Sequence, residues 1–432
     1  MNINNNVNRN IQETLKRLNF FVLIVLACVI ASVLFNFVLA NIKGNESGWV
    51  APTLFPVLNP IGSDFREGLY RPADALLQGK DPYLDANLIY PPLAAYAGIP
   101  FTFTSEWRAY LVQVALIILL NLASLYLLAE VGTQVFLDGG GEGKTVIFLS
   151  SLICISIFSF SSYGFSFNVE RGNFDVYPLF LSVLFLWLLW KYPKRMWLQI
   201  LVISVAAHLK VYPLVFFVLI LWKHGWKSIL PTAVINVLFL LCLGPGDAWI
   251  FLQNIFFQQG GRVPTWIGNH SSFAYAAFWY WQPEQVGVNL YELFFLLLPC
   301  LVWAAALIVL FKRGFSLKGA VWLFALSIPL VNLIPRVSYD YKLIWLYPAA
   351  LLLLIYQLKS FAIDKKRMAL AAWLFLALLL LMISRSFAIT PDILANKYPY
   401  ILMVEIMIAV TAITDRSTLL PSTESDRDAV VS

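Results

Sequence analysis

Long apolar runs separated by short polar links dominate the chain. After a first run at 19–42, they fall near 107–131, 145–165, 173–190, 228–246, 290–311, 319–334, 343–358, 369–387 and 399–413. A helix needs about 20 apolar residues to cross a bilayer core, so the pattern predicts an all-α polytopic membrane protein with about ten full spans. The stretch 196–223 breaks the pattern. Lys210 and Pro213 interrupt it, Lys191, Lys194 and Arg195 precede it, and Lys223 and Lys227 follow it. Basic flanks on both sides place both ends in the cytoplasm, which predicts a re-entrant pair of short helices with its turn near mid-membrane. Irregular backbone at that depth is tolerated only inside protein or beside a wet cavity.

Composition agrees with the pattern. Charged residues make up 12% of the 432, about half the ~25% usual for soluble domains, while 60% are hydrophobic. The net charge of +6 is a topology signal and not a nucleic-acid footprint, because Lys and Arg lie between apolar runs and form no basic stripe. With the N-terminus inside, 18 Lys/Arg lie on the cytoplasmic side, 11 outside and Lys210 between them. That satisfies the positive-inside rule and puts both termini in the cytoplasm. Reading 196–223 as one full span instead exports Lys312, Arg313, Lys318, Lys359, Lys365, Lys366 and Arg367. The run at 19–42 exceeds the ~7–15 residues of a signal-peptide core and is read as an uncleaved anchor.

The membrane domain is accordingly assigned to 1–414, with 415–432 a disordered cytoplasmic tail. Its outward loops are 43–106, 247–289 and 388–398, with 335–342 a short polar link. In the first loop, Phe65 to Gln78 mixes Leu69, Ala73, Leu76 and Leu77 with Arg66, Glu67, Arg71 and Asp74 at helical spacing, which predicts a helix lying in the interface. Asp138 to Thr145 comes near a phosphate-binding P-loop, but Asp138 stands where the first Gly belongs, and a cytoplasmic turn is the plainer reading. Cys28, Cys154, Cys242 and Cys300 lie in apolar runs without metal-type spacing, and His208, His224 and His270 are dispersed. Neither a metal nor a cofactor is expected.

One ordered set of short motifs remains. It runs from Asp64 through Tyr70, Ala73, Leu76, Gly79, Asp81-Pro-Tyr83 and Tyr90-Pro-Pro92 to Arg171-Gly-Asn173, Lys210-Val-Tyr-Pro213, Gly268-Asn-His-Ser271, and Ser338-Tyr-Asp340 with Trp345 and Pro348. In this order and spacing the chain resembles glycosyltransferase family 87, integral-membrane enzymes of the GT-C type that use polyprenyl-phosphate sugars. The resemblance covers roughly residues 15–415. Where many members carry a His pair after Ser-Trp, this chain has Tyr341 and Lys342, so whatever role that pair plays is not transferred.

The resemblance implies inverting transfer of a sugar, mannose before arabinofuranose or another pentose, from a polyprenyl-phosphate donor to a glycolipid or envelope-glycan acceptor. It implies an extracytoplasmic active site, expected in a bacterial plasma membrane. Transfer from a sugar phosphate needs one base for the acceptor hydroxyl, since the phosphate leaves as a stable anion, whereas glycoside hydrolysis needs a second carboxyl group. Asp64 is the candidate base, set ahead of the alternative that it caps the interfacial helix. Lys210, a cation in mid-run and ~18 Å from the cytoplasmic surface by helix rise, is the candidate ligand of the donor phosphate. Arg171, Arg262, Arg336 and Lys342 are further cations that can share it, each also readable as an interface anchor. Tyr70, Tyr83, Tyr90, Asn173, Trp266, Asn269, His270, Tyr339 and Asp340 are the candidate sugar and acceptor contacts, with loop capping and the aromatic belt as their plain alternatives. Two rivals stand beside the enzyme: a lipid-linked-glycan transporter or flippase, suggested by the broken 196–223 segment, and a non-catalytic glycolipid-binding subunit.

Overall fold

The computed structural model describes residues 61–137, 142–255, 268–279, 290–361 and 396–415. The runs at 19–42 and 369–387, the candidates Arg262 and Trp266, and the tail from 416 lie outside the described residues. Among those described, regular structure is helical, and the one β-type pairing is an isolated bridge between Asn269 and Tyr339.

The first helix, α1, is composite: Ser63–Phe65, a π-type turn Arg66–Tyr70, and Arg71–Leu77 run on without a break. It buries Phe65, Leu69 and Ala73 while Glu67 and Arg71 pair on its exposed face at 2.9 Å. Short α2 (Leu93–Gly98) leads to α3 (Glu106–Phe136), then α4 (Glu142–Phe160) and α5 (Tyr163–Arg171), which meet at 58°. Next come α6 (Val176–Lys191), α7 (Met196–Leu209), α8 (Phe217–His224), α9 (Ile229–Leu240) and α10 (Pro245–Gln253). The remainder is α11 (Ser272–Trp279), α12 (Leu290–Lys312), α13 (Leu317–Leu333), α14 (Leu346–Phe361) and α15 (Tyr398–Thr414).

Among the described residues, four helical stretches are long and apolar enough by length and composition to cross a membrane: Glu106–Phe136, Tyr212–Leu240, Leu290–Lys312 and Asp340–Lys359, of which Tyr212–Leu240 turns back at Gly225 and is not one straight span. A fifth follows if the bent pair α4 and α5 is one span. The runs predicted at 173–190, 319–334 and 399–413 appear as the shorter helices α6, α13 and α15 of 16 or 17 residues, about 24–26 Å long. The described residues are thus all-α, with apolar helices that fit a polytopic membrane protein.

Its centre is α13, buried on every side from Gly319 to Leu333, with Trp322 against Phe136 and Phe324 stacked on Phe216 at 4.7 Å. A helix apolar all round belongs in such a centre. By contrast α9 buries none of its residues and shows Leu230 and Leu238, a surface suited to lipid tails.

The interrupted segment doubles back. Helix α7 ends where Lys210 adopts extended backbone (φ −149°, ψ 137°), and Pro213 then sits in the first turn of the 3-10 stretch Tyr212–Phe216. Proline clashes with a continuing helix behind it, so the break is local in origin. His224 Nε2 returns to within 2.8 Å of Gln199 Oε1, which sets α8 alongside α7 in the opposite direction. The chain reverses again at Gly225 (φ 61°), because Asn236 of α9 bonds Ser204 and His208 of α7, both at 3.1 Å. Lys210 is therefore the tip of a helical hairpin.

Candidate active site

The site begins at a junction between α1 and the end of α5. Gly62 N–H donates to the Glu170 carbonyl at 2.9 Å and clips the start of α1 onto α5. Helix α5 ends in a Schellman cap, in which Gly172 N–H donates to the Val169 carbonyl and Asn173 N–H to the Asn168 carbonyl, each at 3.0 Å. This left-handed turn at Gly172 (φ 63°) swings both Arg171 and Asn173 onto Asp64. Arg171 donates twice to Asp64 Oδ1, from Nε at 2.9 Å and from a terminal nitrogen at 2.5 Å, and Asn173 Nδ2 donates to Oδ2 at 2.8 Å.

No other residue type fits at 172. An added Cβ meets the Phe65 Cβ at 2.7 Å, besides the cost of a positive φ. Gly172→Ala is expected to lower stability by about 1–3 kcal/mol and to depress transfer with it, because Arg171 and Asn173 lose their register on Asp64. Thermal melting and a transfer assay on the same preparation check this.

From Asn173 the network continues inward. Lys210 Nζ donates to Asn173 Oδ1 at 2.8 Å and lies 2.6 Å from Asp175 Oδ1, which also accepts from the Tyr212 hydroxyl. Both members of this ion pair are buried, at 5% and 0% side-chain exposure. Three rings surround the ammonium, Phe174 at 4.4 Å, Tyr90 at 4.9 Å and Tyr341 at 5.8 Å from their centroids, an electrostatically favourable cage for a cation. Lys342 is buried beside them, with Nζ donating to the Val337 carbonyl at 3.0 Å and 4.6 Å from the Tyr212 ring. Burial, with Asp64 and Asp175 adding to it, holds the Tyr90 phenol well above its ordinary range, so Tyr90 stays protonated and is no rival to Asp64 as a base.

The structure thus brings together Asp64, Arg171, Asn173, Tyr90, Lys210 and Lys342 of the sequence-predicted residues. Tyr339 stands at their edge, its phenol pushed up by burial and influenced by Arg171 and Asp64. Tyr70 and Tyr83 lie outside this set and donate to the carbonyls of Thr104 at 3.0 Å and Tyr90 at 2.8 Å.

A second cluster gathers Asn269, His270, Asp340 and Arg336. His270 Nε2 lies 2.7 Å from Asp340 Oδ1, and the Lys397 backbone N–H donates to His270 Nδ1 at 3.1 Å. That donation assigns the proton to Nε2, facing the carboxylate. Asn269 Oδ1 accepts from Ser338 N–H at 2.8 Å, Asn396 donates to the Asn269 carbonyl, and the Arg336 guanidinium lies over Phe273 at 4.9 Å. Asn269, His270 and Asp340 are fully buried. Their position suits a clamp on the 336–342 segment that carries Tyr341 and Lys342 into the first cluster.

Sequence reasoning did not single out Asp175, Phe174, Tyr212 or Tyr341 for the site. A signal was present for two of them: Asp175 follows Asn173 by two positions and Tyr212 follows Lys210 by two, each inside a motif already chosen for chemistry.

A family model described as glycosyltransferase family 87 matches residues 88–332, more than half of the chain. The matched segment contains Arg171, Asn173, Asp175, Lys210 and His270, and lies between Asp64 on one side and Tyr339 to Lys342 on the other. No curated protein matches the chain.

Proposed function

Since the chain belongs to glycosyltransferase family 87, we propose that it transfers a sugar, mannose before arabinofuranose, from a polyprenyl-phosphate carrier to a glycolipid or envelope-glycan acceptor. The acceptor hydroxyl attacks the anomeric carbon and gives its proton to Asp64. The bond from that carbon to the phosphate oxygen breaks, its electron pair stays on the phosphate, and the anomeric configuration inverts. One base suffices, because the leaving phosphate needs no proton.

The observation that carries this reading is the unbroken run Arg171, Asp64, Asn173, Lys210, in which a carboxylate and a buried cation are joined through one asparagine. Asp64 Oδ2 accepts one of these bonds and keeps a lone pair for the acceptor hydroxyl. Lys210 has three N–H groups, of which Asn173 and Asp175 take two, and the third is the proposed contact of the donor phosphate. Lys342 and Arg171 add positive charge around the same point. The test is a panel of synthetic polyprenyl-phosphate sugars offered to the purified protein in liposomes. Transfer from the mannose donor is expected, and failure with every polyprenyl-phosphate sugar removes the donor class.

We place this site on the extracytoplasmic face, within about ten spans, the 7–8 hairpin being re-entrant and both termini inside. Basic residues at both feet of the hairpin support this. Cysteines at Tyr192 and Lys227, in a chain without native Cys, are expected to label from the cytoplasm only, and one at exposed Phe103 from outside only. Labelling of Tyr192 and Lys227 from opposite faces contradicts the re-entrant reading.

A further inference from the structure

The donor site holds more negative charge of its own than phosphate binding calls for. Beside Asp64, the proposed base, Asp175 sits fully buried against Lys210, the cation expected to meet the phosphate. Its Oδ1 takes Lys210 and the Tyr212 hydroxyl, and its Oδ2 is buried with no hydrogen-bond partner among the described residues. A cap role does not account for it: Asp175 stands at the N-cap of α6, yet its side chain makes no capping bond. Burying a carboxylate is costly unless it serves something.

We propose that Asp175 is a positioning residue that moderates Lys210, so that the phosphate carrier is held loosely enough to leave after transfer. The inference rests on the donor reading given above. Arg171 faces Asp64, Lys210 faces Asp175, and Lys342 adds a cation with no carboxylate in salt-bridge range among the described residues, while buried Glu170 also acts on Arg171. A polyprenyl-phosphate sugar is a phosphodiester with one negative charge. When the bond to the anomeric carbon breaks, its electron pair makes the carrier a phosphate monoester of about −1.5 to −2, while the acceptor's proton neutralises Asp64. Arg171 is then unbalanced, and the site holds the product more tightly than the substrate. Asp175 offsets one cation throughout, and Tyr212 and Asn173 fix the geometry in which it does so. Without its charge the site is one unit more positive both before and after transfer, and carrier release becomes the slow step.

The test is binding of polyprenyl phosphate, the product, to full-length protein in nanodiscs, with uncharged polyprenol as the control lipid. Asp175→Asn is expected to bind polyprenyl phosphate at least about tenfold more tightly than the native protein, with polyprenol binding unchanged and turnover reduced at saturating donor. Damage to the site lowers affinity, so the direction separates charge moderation from a merely structural role. Equal or weaker affinity in the variant, with the native protein still preferring polyprenyl phosphate to polyprenol, overturns the role of Asp175 and leaves the donor reading standing. No preference in the native protein overturns both. Should Asp175→Asn fail to insert, Lys210→Met/Asp175→Asn compared with Lys210→Met carries the same test: the double variant is expected to bind polyprenyl phosphate more tightly, and the reverse order overturns the proposal.

Discussion

Replacing Asp64 with asparagine is expected to cut sugar transfer by about 10³-fold while leaving donor affinity within a few-fold of the native value. The amide keeps the size of the carboxylate and cannot take a proton. Its cost in stability is also legible. Asp64 accepts from Arg171 on one oxygen and from Asn173 on the other, so an amide that keeps its oxygen toward Arg171 turns an N–H toward the Asn173 amide nitrogen. Asn173 cannot flip to relieve this, because its own oxygen already accepts from Lys210 and from the Asp175 backbone N–H. A misfit of that kind costs about 1–3 kcal/mol, which a thermal melt registers separately from the rate. A variant that melts lower but turns over near the native rate removes Asp64 from the role of base.

Lys210→Met carries the second large effect, and its reading needs the partner. Removing the lysine leaves Asp175 buried without its cation, a loss of about 3–5 kcal/mol in comparable pairs. The single variant therefore confounds folding with binding. Lys210→Met/Asp175→Asn removes both charges, is expected to recover most of that stability, and still lacks the N–H proposed to meet the phosphate. Donor affinity is expected to fall at least about tenfold in the double variant while acceptor affinity holds. Titration of both substrates against the double variant decides it, and native donor affinity there counts against Lys210 as the phosphate ligand.

How much of this was legible in sequence differs by residue. Lys210 was, because a charge in a long apolar run followed by proline has few structural uses, and it lies at the tip of the 7–8 hairpin. Asp64 was legible as a candidate only through its place in the ordered motifs, and its pairing with Arg171 spans 107 positions that no local pattern connects. The helix predicted over Phe65 to Gln78 is there as α1, but its π-type turn, which no periodicity announces, was not foreseen. Asp175 and Tyr212 were hidden for another reason. Each lies two positions from a chosen residue, and its role follows only once α6 and the hairpin tip are packed together. The contact of His270 with Asp340 gathers three segments far apart in the chain, 269–272, 336–340 and 396–397, so the sequence offered Asn269, His270 and Asp340 as sugar or acceptor contacts, or plain loop caps, without joining them to one another.

The most direct test of the central claim follows both halves of the donor at once. Purified protein in liposomes, given polyprenyl-phosphate mannose labelled in the sugar and in the carrier, with a lipid-linked glycan acceptor and no nucleotide sugar, is expected to release one polyprenyl phosphate for each mannose joined to acceptor, with inverted configuration. Movement of the intact donor across the bilayer without its cleavage, or transfer that requires a nucleotide sugar, contradicts the account.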